Sequence, residues 1–167
     1  AAPTAQRYAR ISSWMMSAGR VDAAKAWAER AHETEPDNWL HAMSLYQLAR
    51  ETGDRTLAND LADTLSELSG EDVGRLRSLA RTLKDTGEAR RAADVLWKAL
   101  RLQPSYRSLA AEIAAIESSL GRPERAVHAF EISLEGEYVS PRAYLSAAVQ
   151  LERHVGVRAA LPFFEIG

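Results

Sequence analysis

Three cations, Arg77, Arg81 and Lys84, recur at i, i+4 and i+7. On a helix this spacing lifts them along one face, where they cannot all be neutralised by residues of that same helix. Guanidinium forks set in such a stripe suit a carboxylate, an acidic peptide or an anionic polymer. The plainer alternative is a solvated face with salt bridges to Asp85, Glu51 or Glu112, since surface charge runs contribute little on their own. The remaining reactive side chains offer less chemistry. No two of the four histidines, His32, His41, His128 and His154, stand at a metal-binding spacing such as H-x-x-x-H. With no cysteine, a thiolate zinc site, an iron–sulfur cluster, a disulfide and a cysteine nucleophile are all excluded. There is no nucleophile elbow, Walker loop, dinucleotide-binding glycine set or zinc-protease signature. The carboxylate pairs Glu71 with Asp72 and Glu135 with Glu137 fall at expected helix junctions, where they complement the positive end of the next helix. The expectation is no catalytic residue, no metal and no cofactor, and a protein that is not an enzyme.

The elements that must position the stripe are read from composition and periodicity. The chain has 167 residues, of which 46% are hydrophobic and 26% charged, with a formal net charge of -2. That profile belongs to a folded chain rather than a disordered one. The negative balance and the lack of interleaved aromatics argue against nucleic acid. No apolar run approaches the roughly 20 residues that span a bilayer, so membrane insertion is not expected. Alanine is unusually frequent at 30 residues, and 18 of the 21 basic residues are arginine. That bias hints at a GC-rich bacterial genome. The four tryptophans, Trp14, Trp27, Trp39 and Trp97, are assigned to core or hinge packing, with Trp14 and Trp27 near helix-packing positions and Trp97 partly outward.

A fixed period runs through the chain. Gly19, Gly53, Gly87 and Gly121 are each 34 residues apart, and so are Ala24, Ala58, Ala92, Ala126 and Ala160. Between these markers the apolar spacing is helical. Leu76, Leu79, Ala80 and Leu83 fall at i, i+3, i+4 and i+7, and Ala92, Val95, Leu96, Ala99 and Leu100 share one face. Each unit therefore reads as helix, glycine turn, helix. Pro123, and Pro141 after Ser140, sit where a proline opens a helix, while Gly70 and Gly136 fit left-handed helix terminators. No stretch alternates as a strand does.

On these residues the chain resembles the tetratricopeptide repeat (TPR) family, whose unit has the same length and the same small-residue, glycine, alanine and proline landmarks. Leu76, Leu79, Ala80, Leu83, Gly87, Ala92, Leu96, Ala99 and Pro104 give the cleanest match. The resemblance implies an all-α, right-handed superhelix of antiparallel hairpins, with repeats at 5–38, 39–72, 73–106 and 107–140 and a truncated fifth at 141–167. Several positions depart from the pattern. Tyr46 replaces a small residue, Glu117 a bulky one, and Val155 and Gly156 move the last turn glycine one residue late.

The resemblance also implies that first helices line a concave groove. Carried onto this sequence, its ligand-facing positions include Arg10, Met43, Gln47, Arg50, Arg77, Arg81, Lys84, Ser118 and Arg142, with Arg10 and Arg50 extending the cationic stripe. The chaperone-binding carboxylate clamp is absent, because Ala9, Ser13 and Ser44 occupy its positions. The implied function is a scaffold that binds a partner protein or peptide, acidic in character, in that groove. The alternative is a periplasmic segment of a bacterial envelope machine, such as exopolysaccharide export or secretion, that assembles with it or guides a polysaccharide. The chain opens at Ala1-Ala2-Pro3 without methionine and stops at Gly167, so it is expected to be part of a larger scaffold. Leu161, Phe163, Phe164 and Ile166 then form an exposed end, for packing by further repeats or for self-association.

Overall fold

The computed structural model describes residues 4–135 and 141–166. Among them lie ten helices and no strand. The helices are α1 (Ala5–Ser17), α2 (Val21–Thr34), α3 (Trp39–Glu51), α4 (Arg55–Leu68), α5 (Val73–Asp85), α6 (Ala89–Leu102), α7 (Arg107–Ser119), α8 (Pro123–Ser133), α9 (Pro141–His154) and α10 (Val157–Ile166). Consecutive helices pair as hairpins, α1 with α2 through α9 with α10. They divide between two compact units, Ala1–Gly70 and Glu71–Gly167.

The hairpin turn explains why glycine recurs. At Gly87 the backbone turns left-handed with φ +84°. The Gly87 amide donates to Lys84 O at 3.0 Å and the Glu88 amide to Leu83 O at 2.8 Å, the paired closure that satisfies two of the last carbonyls of α5. Gly19, Gly53 and Gly121 repeat both bonds and the positive φ. No atom lies within 4 Å of where a Cβ would stand at Gly87, so conformation and not space demands the glycine. The last hairpin differs as its late glycine foretells. There the Gly156 amide donates to Leu151 O at 2.9 Å, and Gly156 carries φ +122°. Gly70 ends α4 at φ +51° as expected, whereas Gly136 and Ser140 lie outside the described residues.

All five alanines of the periodic series are buried, which is what a close helix–helix contact requires. In the first unit, Ser12 takes the small first-helix position, and its buried hydroxyl donates to Ala24 O at 2.8 Å. Tyr46 holds the same position one period on and is fully buried. The volume is returned in the second helix: Ala62 occupies the place that Leu96 and Phe130 fill in later hairpins. Trp39 is buried, and its indole donates to Ser69 Oγ at 3.0 Å. Trp27 stacks on Tyr8 with centroids 5.7 Å apart and carries Arg30 over its ring at 4.6 Å. Trp14 corrects the sequence expectation, being 68% exposed. Its counterpart Leu48 is buried where α3 faces α1, and no described helix precedes α1 to cover Trp14.

In the second unit the regular leucines Leu76, Leu79 and Leu83 are buried, and so is Glu117 at a position expected to be bulky and apolar. Its carboxylate accepts from Trp97 Nε1 at 3.0 Å and from Arg125 Nε at 2.8 Å, with Arg122 Nη1 at 3.4 Å. Arg125 also reaches Asp94 at 2.9 Å, and the exposed His128 stacks on Trp97 with centroids 5.6 Å apart. Residues of α6, α7 and α8 are thus tied by one charged knot. The expected apolar end is smaller than foreseen, because Phe163 is buried edge-on against Phe130 at 6.1 Å. Leu161 and Phe164 are exposed, and the side chain of Ile166 lies outside the described residues.

Candidate binding groove

The expected stripe of cations forms within the second unit. Arg77, Arg81 and Lys84 line a cavity of about 330 Å³ together with Glu112, Ala115, Ile116 and Ser119 of α7. Ala80, Ala89 and Leu96 complete it from α5 and α6. Helical phasing accounts for the arrangement. Leu76, Leu79, Ala80 and Leu83 turn toward the core, which leaves 77, 81 and 84 on the adjoining face. The result is a row of positive charge above an apolar floor that includes the buried Ala80, Leu96 and Ile116.

The three cations are not equivalent. Arg77 Nη2 donates to Glu112 Oε1 at 2.7 Å, and its Nη1 donates to the Tyr106 hydroxyl at 2.7 Å. Its guanidinium carbon lies 5.3 Å from the Tyr106 ring centroid. The Glu112 carboxylate holds the Arg77 pKa above the ordinary arginine value, with burial opposing it. Arg81 and Lys84 are exposed and form no ion pair among the described residues. An anion entering here meets two uncommitted cations on successive turns of one helix.

The other expected groove residues scatter. In the first unit, Gln47 lines a separate cavity of about 470 Å³ with Ser12, Ser13, Met16, Ser44, Leu48 and Glu51, a neutral to acidic lining. Arg10, Arg50 and Arg142 line neither cavity. Met43 and Ser118, two positions implied to face a ligand, are buried instead, and the Ser118 hydroxyl returns to Ala114 O at 2.7 Å. Sequence reasoning missed Tyr106, which precedes α7 and reaches back to Arg77. It also missed Ile116 and Leu96 as floor residues, whose signal was only their apolar phase.

Among the described residues no group of three or more His, Asp or Glu side chains is placed to hold a metal ion. No helix among them is long and apolar enough to cross a membrane. Folding brings His32 and His41 together, and both Nδ1 atoms are buried without a hydrogen bond, although Glu35 Oε2 stands 3.6 Å from that of His41. Burial, then repulsion from His41, lowers the His32 pKa below its ordinary value, with Glu33 opposing.

No protein-family model matches the sequence, and no curated protein aligns with it. Solved structures do match. A MamA protein superposes with a TM-score of 0.57 over 96% of this chain and 88% of its own, at 21% identity. MamA from Desulfovibrio magneticus RS-1 gives 0.58 over 97% and 92%, at 14% identity. YrrB, described as a TPR protein with an unusual peptide-binding site, gives 0.56 over 96% and 83%, at 16% identity. At these identities the likeness speaks for the fold, and the chain has the tetratricopeptide-repeat fold.

Proposed function

We propose that the chain is a non-enzymatic scaffold that binds a partner protein, and that its second unit receives an acidic peptide segment in the groove between α5 and α7. The observation that carries this is the pairing of two uncommitted cations, Arg81 and Lys84, with an apolar floor of Ala80, Leu96 and Ile116. Carboxylates take the cations through charge-assisted hydrogen bonds, while an apolar side chain between them buries against the floor. The likeness to YrrB, a protein described by its peptide-binding site, supports a peptide as the ligand class.

The second reading is the envelope segment that handles an anionic polysaccharide, which the same two cations favour. The floor tells the two apart. A polyuronate has no apolar side chain to bury, and among the described residues the cavity lining has no aromatic ring on which a sugar could stack. Titration of the chain with a glutamate- and leucine-containing peptide and with an oligogalacturonate separates the readings. Peptide binding should weaken at least tenfold in the double variant Arg81→Glu, Lys84→Glu, because each contact changes from attraction to repulsion. Unchanged peptide affinity in that variant refutes the groove. Binding of the oligogalacturonate alone replaces the peptide reading with the polysaccharide one.

A further inference from the structure

Arg77 has the surroundings of an arginine with a ligand already bound. A carboxylate oxygen sits at 2.7 Å from one terminal nitrogen, a phenol oxygen at 2.7 Å from the other, and the tyrosine ring lies close to the guanidinium. The carboxylate belongs to the protein. Glu112 comes from the opposite wall of the groove and is 45% exposed, so it is held by the ion pair rather than by burial. Its negative charge stands at one end of the cation row, while Arg81 and Lys84 follow one and two turns further along α5.

Resting on the peptide reading above, we infer that Glu112 is a specificity-determining residue, a built-in occupant of the carboxylate position at Arg77. It neutralises that arginine and repels a third acid from the ligand. The groove therefore selects peptides with two acidic residues, for Arg81 and Lys84, and gains nothing from a third that reaches Arg77. Alternate residues of an extended peptide lie about 6.6–6.8 Å apart, and at about 1.5 Å per residue Arg77 and Arg81 are separated by about 6.0 Å and Arg81 and Lys84 by about 4.5 Å along the helix, differences that long flexible side chains span, so acids at i and i+2 face successive cations. Acids at i, i+2 and i+4 would bring the third against Glu112.

The test uses acetylated, amidated eight-residue peptides with glutamate at two or at three alternate positions, the third glutamate being glutamine in the two-acid peptide. Affinities are measured by fluorescence anisotropy at low salt for the parent chain, Glu112→Gln, the Arg81→Glu, Lys84→Glu double variant and a control, Glu124→Gln. Glu124 is exposed at the start of α8 and outside the groove lining, so it reports the general effect of removing one negative charge. The parent should bind both peptides within twofold of each other. Glu112→Gln should bind the three-acid peptide about three- to tenfold tighter than the parent does, and this gain should shrink as salt is raised. The two-acid peptide should change by less than twofold.

If the double variant loses binding but Glu112→Gln gains nothing with the three-acid peptide, the groove stands and the role of Glu112 is overturned. An equal gain in Glu124→Gln overturns it too, since the effect is then general charge. Binding that survives in the double variant overturns the groove and the inference together.

Discussion

Removing the buried carboxylate of Glu117 tests whether the charged knot of the second unit holds its helices in register. Three losses and one gain oppose one another in Glu117→Ala. The indole of Trp97 loses a charged acceptor at 3.0 Å, a bond of about 1.5–3 kcal/mol. The Arg122 and Arg125 contacts add little, at most about 1 kcal/mol together, because those side chains are 28% and 41% exposed and can turn to water. The vacated volume adds about 1 kcal/mol as a cavity. Against these, the cost of keeping a carboxylate away from water disappears, a few kcal/mol in the opposite direction. Losses of about 2.5–5 kcal/mol set against a desolvation relief of about 2–3 kcal/mol at the fully buried Glu117 should leave the variant destabilised by about 1–2 kcal/mol.

Glu117→Gln keeps the volume and an acceptor for the indole, so it should cost about half as much. Urea unfolding followed by circular dichroism measures both, and hydrogen exchange locates the effect. Protection should fall in α6, α7 and α8 before it falls in α1–α4. A Glu117→Ala variant within about 0.5 kcal/mol of the parent would refute the reasoning, and the knot would then be an incidental cluster.

Two further predictions concern the turn and the histidine pair. Gly87→Ala should destabilise by about 1–2 kcal/mol in urea unfolding, from the left-handed backbone alone, since the new methyl meets no atom within 4 Å; no loss would mean that the turn relaxes freely. Burial and the neighbouring His41 hold His32 below its ordinary 6.5, so the unfolded chain takes up a proton before the folded chain does. Stability contributed by His32 is therefore complete above that value and falls as pH drops below 6.5, and the decline in urea midpoint between pH 7.5 and pH 5.5 should shrink in His32→Gln. An equal decline in parent and variant would place the sensitivity elsewhere.

How much was legible in the sequence depends on whether a residue's partner is local. Gly87 and Ala92 are readable because turn conformation and close approach of paired helices depend on neighbours within one hairpin. The stripe at 77, 81 and 84 is readable because helical phase alone sets it. The exposure of Trp14 is not, since it depends on whether another element covers that side of α1. Glu112 is named in the sequence as one of three acids that could pair with the stripe, and it pairs with Arg77, but the choice among the three and the Tyr106 hydroxyl, 29 residues away, come only with packing. Glu117 registers in the sequence only as a departure from the bulky apolar residue expected. That it answers Trp97, Arg122 and Arg125 follows from the packing of three helices.

The same periodicity that makes the fold legible leaves the ligand illegible. One period separates Ser13, Gln47 and Arg81, so one place in the repeat holds a hydroxyl, an amide and a guanidinium in turn. Lys84 likewise corresponds to Arg50 and Met16, and Glu112 to Ser78 and Ser44. The alanine series, by contrast, keeps one residue type five times and is buried five times. Positions that close a hairpin answer to helix geometry, which every repeat shares. Positions that face a groove answer to whatever occupies it, which no repeat needs to share. The neutral to acidic lining around Gln47 and the cationic lining around Arg81 are therefore two chemistries on one repeat fold, and the proposed acidic segment is assigned to the second because only there would charge attract it.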